Sequence, residues 1–166
     1  MAKKAPVDRK MLVQKLLKIR ELPSKLISCG EVTIFSIWLP YLNEDMCFYL
    51  DISSDNLGLV CILDYPDFQK KSNLEKLTIA NDLSNKFPQT KFYVRDDDLM
   101  ATYHITLPDK GERVLLELME LVLMDFIGDL EDVYADLVEA GLRLQRYENS
   151  KASGVDTETE EGWEWL

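Results

Sequence analysis

The stretch ANDLSNKFPQTKFYVRDDDLMATYHITLP, residues 80–108, carries the pattern that decides the fold. A helical run stops at Phe87, because Pro88 has no amide hydrogen to extend it. Thr90–Arg95 is then rich in β-formers. Asp96, Asp97 and Asp98 make a tight turn. Leu99–Leu107 alternates: Leu99, Ala101, Tyr103, Ile105 and Leu107 point one way, and Met100, Thr102, His104 and Thr106 point the other.

Upstream of this stretch, Ser72 and Glu75 have the S-x-x-E spacing of a capping box, which starts the helix. Leu74, Leu77, Ala80, Leu83 and Phe87 form its expected apolar stripe. Three strands come before it. The first is roughly Glu31–Leu39 and stops at Pro40, with a turn at Tyr41–Asp45. The second, Met46–Ile52, puts Met46, Phe48, Leu50 and Ile52 on one face and Cys47, Tyr49 and Asp51 on the other. Ser53–Asn56 is a turn cluster, and the third strand, Leu57–Asp64, is apolar on both faces. Short connections between the three imply an antiparallel meander. A first helix runs from about Asp8 to Glu21, with Asp8 as its cap and Met11, Leu12, Leu16 and Ile19 at helical spacing. Pro23 ends it.

Downstream, Gly111 to about Arg146 reads as helix. Leu115, Leu118, Met119, Val122, Phe126, Leu130, Val133, Leu137 and Leu144 keep a three-to-four spacing. Gly128-Asp129 leaves two readings open, one continuous helix or two segments with Asp129 capping the second. The expected architecture is therefore α+β: a two-layer sandwich in the order α-β-β-β-α-β-β-α, with an antiparallel five-stranded sheet and helices on one face. Residues 1–146 form one domain. Residues 147–166 read as a mobile acidic tail with an aromatic tip at Trp163, Trp165 and Leu166.

Composition narrows the function. The chain has 166 residues, 46% of them hydrophobic and 30% charged, which is globular. Thirty Asp and Glu against nineteen Lys and Arg give a net charge of −11, which repels a polyanionic backbone and argues against nucleic acid as partner. No segment approaches the roughly 20 apolar residues of a membrane helix, and the basic start at Lys3 and Lys4 is not followed by a secretory apolar region. Cys29, Cys47 and Cys61 are odd in number and lie in apolar surroundings, as reduced core thiols of a cytoplasmic protein do.

Chemistry-bearing patterns are sparse. His104 is the sole histidine, so histidine-based metal clusters and acid–base pairs are excluded. The sequence has no G-x-S-x-G elbow, phosphate loop, dinucleotide fingerprint or C-x-x-C pair. The Asp96–Asp98 triple lacks the spacing and glycine of a calcium loop. No catalytic residue, cofactor or metal is expected. Asp125, Asp129, Asp132 and Asp136, continued by Glu139, share one face of the last helix, either as a water-facing stripe or as a contact face for a basic partner.

The outer face of the sheet is the stronger candidate. If Phe48, Leu50, Phe92, Val94, Tyr103 and Ile105 pack on the helices, the opposite face carries Ile34, Trp38, Tyr49, Tyr93, Arg95 and His104. A face this aromatic reads as a dimer interface or a partner groove, against scattered amphipathic surface residues. Base stacking of single-stranded RNA is opposed by the charge and by the missing RNP-type run. Trp163 and Trp165 stand as a docking motif for a partner, or as a segment that folds back on its own domain.

From Leu74 to Leu137 the chain resembles a YbjN-type domain of the type III secretion chaperone-like fold group. The likeness rests on the stretch quoted above and on DLEDVYADL, residues 129–137. The matching positions are Asn81, Asn85, Phe87, Lys91, Phe92, Val94, Asp97, Asp98 and Tyr134. A glycine common in that family's acidic turn is replaced here by a third aspartate. The order of elements extends the likeness to about residues 8–146. The resemblance implies a small non-enzymatic bacterial protein, often a homodimer, that binds protein segments or serves as a regulator or assembly helper.

The expected function is thus a chaperone- or adaptor-like module that holds a segment of another protein. The contacts would be Trp38, Tyr49 and Tyr93, with Trp163 and Trp165 as a second set. The alternative is an immunity- or antitoxin-like protein whose acidic stripe covers a basic toxin.

Overall fold

A computed structural model describes residues 7–42, 46–63 and 65–139. The elements are α1 (Arg9–Ile19), β1 (Ser24–Cys29), β2 (Thr33–Trp38), β3 (Cys47–Ile52), β4 (Asn56–Leu63), α2 (Pro66–Gln69), α3 (Asn73–Lys86), β5 (Lys91–Arg95), β6 (Asp98–Thr106) and α4 (Glu112–Glu139). The strands form one antiparallel sheet in the order β1-β2-β3-β4-β6-β5. The α+β class and the open antiparallel sheet hold, but there are six strands rather than five and the order of elements changes with them. The extra strand is β1. Its sequence, Ser24-Lys25-Leu26-Ile27-Ser28, has no period-two apolar pattern, because an edge strand with both faces in solvent has none to keep.

Directly opposed residues of antiparallel strands share a face, so the register sorts the sheet. Phe35, Leu50, Leu59 and Tyr103 form one inner row, and Ile37, Phe48, Cys61, Ala101 and Phe92 form the next. Both rows belong to a single core cluster that also takes residues from α1, α2, α3 and α4. α4 contributes Leu115, Met119, Val122, Phe126, Leu130, Val133 and Leu137, one every three or four residues, and the ring of Phe126 meets Phe48 edge-on at 5.4 Å.

Two stripes expected from spacing sit elsewhere. α1 buries Leu12, Val13, Leu16 and Leu17, and leaves Met11 and Ile19 exposed. Two i,i+4 pairs side by side make a wider strip than the one read from Met11 to Ile19. Asp8 does cap this helix, accepting from the Met11 amide at 3.1 Å. On α3 the capping box forms as expected. The buried residues, however, are Lys76, Ala80, Leu83 and Phe87, while Leu74 is 76% exposed and Leu77 also faces water. α3 packs against β5, the last strand of the sheet, so its contact strip is narrow. The Ser84 hydroxyl accepts from the Phe92 amide at 2.9 Å and donates to the Phe92 carbonyl at 3.1 Å, which occupies the outward backbone groups of Phe92 on the edge strand β5.

The choice left open at Gly128 resolves to one continuous helix, α4. A Cβ built on Gly128 meets nothing within 4 Å. Gly128→Ala is therefore expected to raise stability by about 1 kcal/mol, because alanine loses less backbone entropy in a helix than glycine. A urea titration measures this; a loss of stability would mean that α4 is not regular at this point. Leu144, the helix end expected near Arg146, and the expected tail 147–166 lie outside the described residues.

Candidate functional site

The outer face of the sheet reads off in rows across the strands. Ile34, Asp51, Gly58 and His104 make one. Lys25, Ser36, Tyr49, Val60, Thr102 and Lys91 make the second. In the third, Trp38 opposes Cys47, and Ile62, Met100 and Tyr93 are in register with one another; Arg95 faces Asp98 at the corner. All six sheet residues named from the sequence therefore share this face. Trp163 and Trp165 lie outside the described residues.

The third row is mostly apolar. Ile62 is 38% and Tyr93 40% exposed, and Trp38 and Tyr49 are half-buried. Met100 is buried although it is no part of the core cluster under the helices. Sequence reasoning set Met100 on the same side as His104 without singling it out, and did not name Val60 and Ile62 as members of this face. The signal was present in the third strand of the meander, where apolar residues on both sides mean that both sides contact something other than water. Asp51 reaches across the first row. A Cβ on Gly58 would come within 2.4 Å of Asp51 Oδ1, so the carboxylate lies over Gly58, in the gap between Asp51 and His104.

The face also carries three cations. Lys91 and Arg95 are exposed on the face, and Lys25 joins it from β1. Each aspartate of the acidic turn has a protein partner. Asp97 accepts from the buried Lys76 ammonium at 2.6 Å, Asp98 from the Gln69 amide at 2.8 Å, and Asp96 lies 3.6 Å from Arg95.

The acidic stripe of α4 is only half free. Asp125 and Asp132 are exposed, but Asp129 accepts from the Thr90 hydroxyl at 2.5 Å and Asp136 pairs with Lys86. Partial burial raises the Asp129 carboxyl above its ordinary range, opposed by the Thr90 bond and reinforced by the charges of Asp125 and Asp132. A carboxyl with a raised folded pKa destabilises the fold above that pKa, and the penalty is relieved as pH falls through it. Asp129→Asn keeps an acceptor for Thr90 and removes the charge. It is expected to raise stability at pH 7 by a fraction of about 1 kcal/mol, since the site is partly solvated, with the gain over the parent shrinking toward pH 4. Thermal melts across that range test it, and a lower melting temperature at pH 7 would contradict the assignment.

The two sheet margins differ. α3 packs against β5, whereas Ser24 to Ser28 of β1 are all exposed. The Trp38 amide donates to the Pro23 carbonyl at 2.9 Å and Lys25 lies opposite Ser36, so by antiparallel alternation Ser24 and Leu26 turn their backbone groups away from the sheet.

The fold matches solved structures. The chain superposes on YbjN from E. coli, for which a role in transcription regulation has been suggested, with a TM-score of 0.60 at 9% identity, covering 86% of this chain and 100% of that one. The chain has the YbjN-type fold. It also superposes on a chain of the ExsC-ExsE complex with a TM-score of 0.55 at 16% identity, covering 81% of this chain and 96% of that one. No protein-family model matches the sequence, and no curated protein matches it. Neither structure is described as an enzyme, and one is a protein–protein complex.

Within this YbjN-type fold the reactive side chains are dispersed. Cys47 and Cys61 form no disulfide, and burial pushes the Cys61 thiol far up, so it stays protonated at neutral pH. His104 is exposed on the outer face. Among the described residues no group of three His, Cys, Asp or Glu is placed to hold a metal, and no helix is long and apolar enough to cross a membrane.

Proposed function

We propose that this protein is a non-enzymatic, chaperone- or adaptor-like module of the bacterial cytoplasm that binds an extended segment of another protein on the outer face of its sheet. The observation that carries the reading is the apolar third row. Ile62 and Tyr93 are partly exposed between Trp38 at one side and Arg95 at the other, on the face that none of the described helices covers. Aromatic side chains give large contact energy for little lost freedom, and flanking cations add selectivity. The fold shared with a chain of the ExsC-ExsE complex supports the same reading. Pairing of two copies, as the fold group leads one to expect, has the free edge of β1 available to it.

A displayed library of random extended peptides, panned against the immobilised chain, supplies the ligand. Binding of an enriched peptide is then measured by fluorescence anisotropy. Trp38→Ala and Tyr49→Ala are each expected to weaken it about tenfold, which is about 1.4 kcal/mol for a central interface aromatic. Circular dichroism checks that both variants are folded. Undiminished binding by the folded double variant would refute the assignment of this face.

A further inference from the structure

The side of α4 that faces away from the sheet carries a second apolar pattern. Leu121, Gly128 and Ala135 recur every seven residues, and Met124, Glu131 and Val138 follow each of them by three. This is the spacing of a coiled-coil seam, and it is separate from the stripe that α4 buries in the core. Leu121 is 57%, Met124 40% and Val138 47% exposed, and Ala135 also stands in solvent. A Cβ on Gly128 would meet nothing within 4 Å, so a partner backbone can approach closely there. A contiguous apolar row on the outside of a helix already packed on its sheet is an interaction surface rather than scattered exposure.

The charges beside the seam point to what covers it. From Val114 to Glu139 the helix has eight acidic residues and no Lys or Arg. Arg113, Arg20 and Lys86 reach it, and each is held by an acid, Glu117, Glu120 and Asp136 respectively. With those pairs counted, Asp125, Asp129, Glu131 and Asp132 have no ion pair among the described residues. Asp129 and Glu131 are bonded to the neutral hydroxyls of Thr90 and Tyr41. Next to the seam lies a groove of about 400 Å³, lined from α4 by Asp125, Asp129 and Asp132 and from the α3–β5 connection by Phe87 and Pro88. It suits a lysine or arginine side chain, with the stem on the ring of Phe87 and the charge among the carboxylates.

A second copy of this helix is a poor occupant. The positions flanking a seam set the choice of partner, and there Glu120, Asp125 and Asp132 would meet one another. An anionic membrane surface is repelled in the same way.

We infer that the outward side of α4 is a second docking surface, and that its occupant is an amphipathic helix of another protein, apolar at heptad spacing and flanked by Lys or Arg. The surface looks away from the sheet, so the inference stands independently of the reading of the outer face.

The test uses the full chain and a fluorescein-labelled synthetic helix of three heptads, with leucine at a and d and lysine at e and g. The same peptide with glutamate at e and g is its control. By fluorescence anisotropy at about 0.15 M salt, the lysine peptide is expected to bind at least about tenfold more tightly than the glutamate peptide. Asp125→Lys with Asp132→Lys, and separately Leu121→Ser with Met124→Ser, are each expected to weaken it about tenfold. Asp55→Lys with Asp109→Lys reverses as much charge away from the seam, and is expected to leave the Kd within about twofold. All six positions are exposed, and circular dichroism checks each fold; Leu121→Gln alone replaces the serine pair if that pair does not fold. Absence of binding by the lysine peptide, or equal binding by both peptides, overturns the inference. Equal losses from charge reversal on and off α4 also overturn it, because net charge alone then explains the binding. Undiminished binding by the Leu121 and Met124 variant does the same, because the contact then bypasses the seam. Sedimentation of the chain alone as a dimer that this variant dissociates would assign the seam to a second copy instead.

Discussion

Asp97→Ala is expected to lower the stability of the fold by about 3 kcal/mol, which is a drop of about 9 °C in Tm for a chain of this size. Two causes add. Lys76 is 3% exposed, and its ammonium is bonded to Asp97 at 2.6 Å. Without the carboxylate a buried cation loses its counter-charge, an effect moderated here because Asp97 itself is largely in solvent. The second cause is backbone. Asp96 and Asp97 have φ of 50° and 71°, as the two central residues of a type I′ hairpin require, and alanine tolerates that region less well than aspartate. Asp97→Gly separates the two. It removes the same charge while suiting the positive φ, so its loss is expected to be about 1 kcal/mol smaller. Adding Lys76→Met to the Asp97→Gly variant then recovers most of what remains, since an apolar side chain of similar length needs no counter-ion. Equal losses for the Asp97→Ala and Asp97→Gly variants would remove the backbone argument, and no recovery on adding Lys76→Met would remove the charge argument.

Phe126→Ala is expected to cost about 4 kcal/mol, the largest effect of any single truncation considered for this fold. Phe126 has no exposed surface, sits midway along α4, and meets Phe48 in the middle of the sheet. Its loss leaves a void between the two layers, which a 28-residue helix held at both ends cannot collapse to fill. Leu121 on the same helix is 57% exposed, and Leu121→Ala serves as the control, with a change within about 0.5 kcal/mol. Urea denaturation resolves both. A cost below about 2 kcal/mol for Phe126→Ala would mean that α4 is less firmly seated on the sheet than described.

What the sequence disclosed follows the strength of its periodicities. β3 and β6 have one face in the core and one outside it, so Met46–Ile52 and Leu99–Leu107 alternate, and every face assignment made from them holds. β1 was unreadable because Ser24 to Ser28 bury nothing. The stripe of α3 was misjudged because Lys76 replaces a leucine at the contact, and no local rule pairs Lys76 with an aspartate 21 residues away. For the candidate site, the aromatics were legible from strand alternation alone. Ile62 and Met100 were not singled out, because isolated aliphatic residues on a strand say little about their company until neighbouring strands are in register.

The contrast between the two margins of the sheet limits how large an assembly this fold can build. Fibril-like growth needs a donor edge and an acceptor edge on every subunit. Here Ser84 occupies the outward amide and carbonyl of Phe92 in the short strand β5, so that margin offers a joining strand less than the β1 margin does. Strand addition is therefore favoured at the β1 margin, by one guest or one twin, and a lone serine hydroxyl works against the open-ended polymer that flat-edged sheets risk.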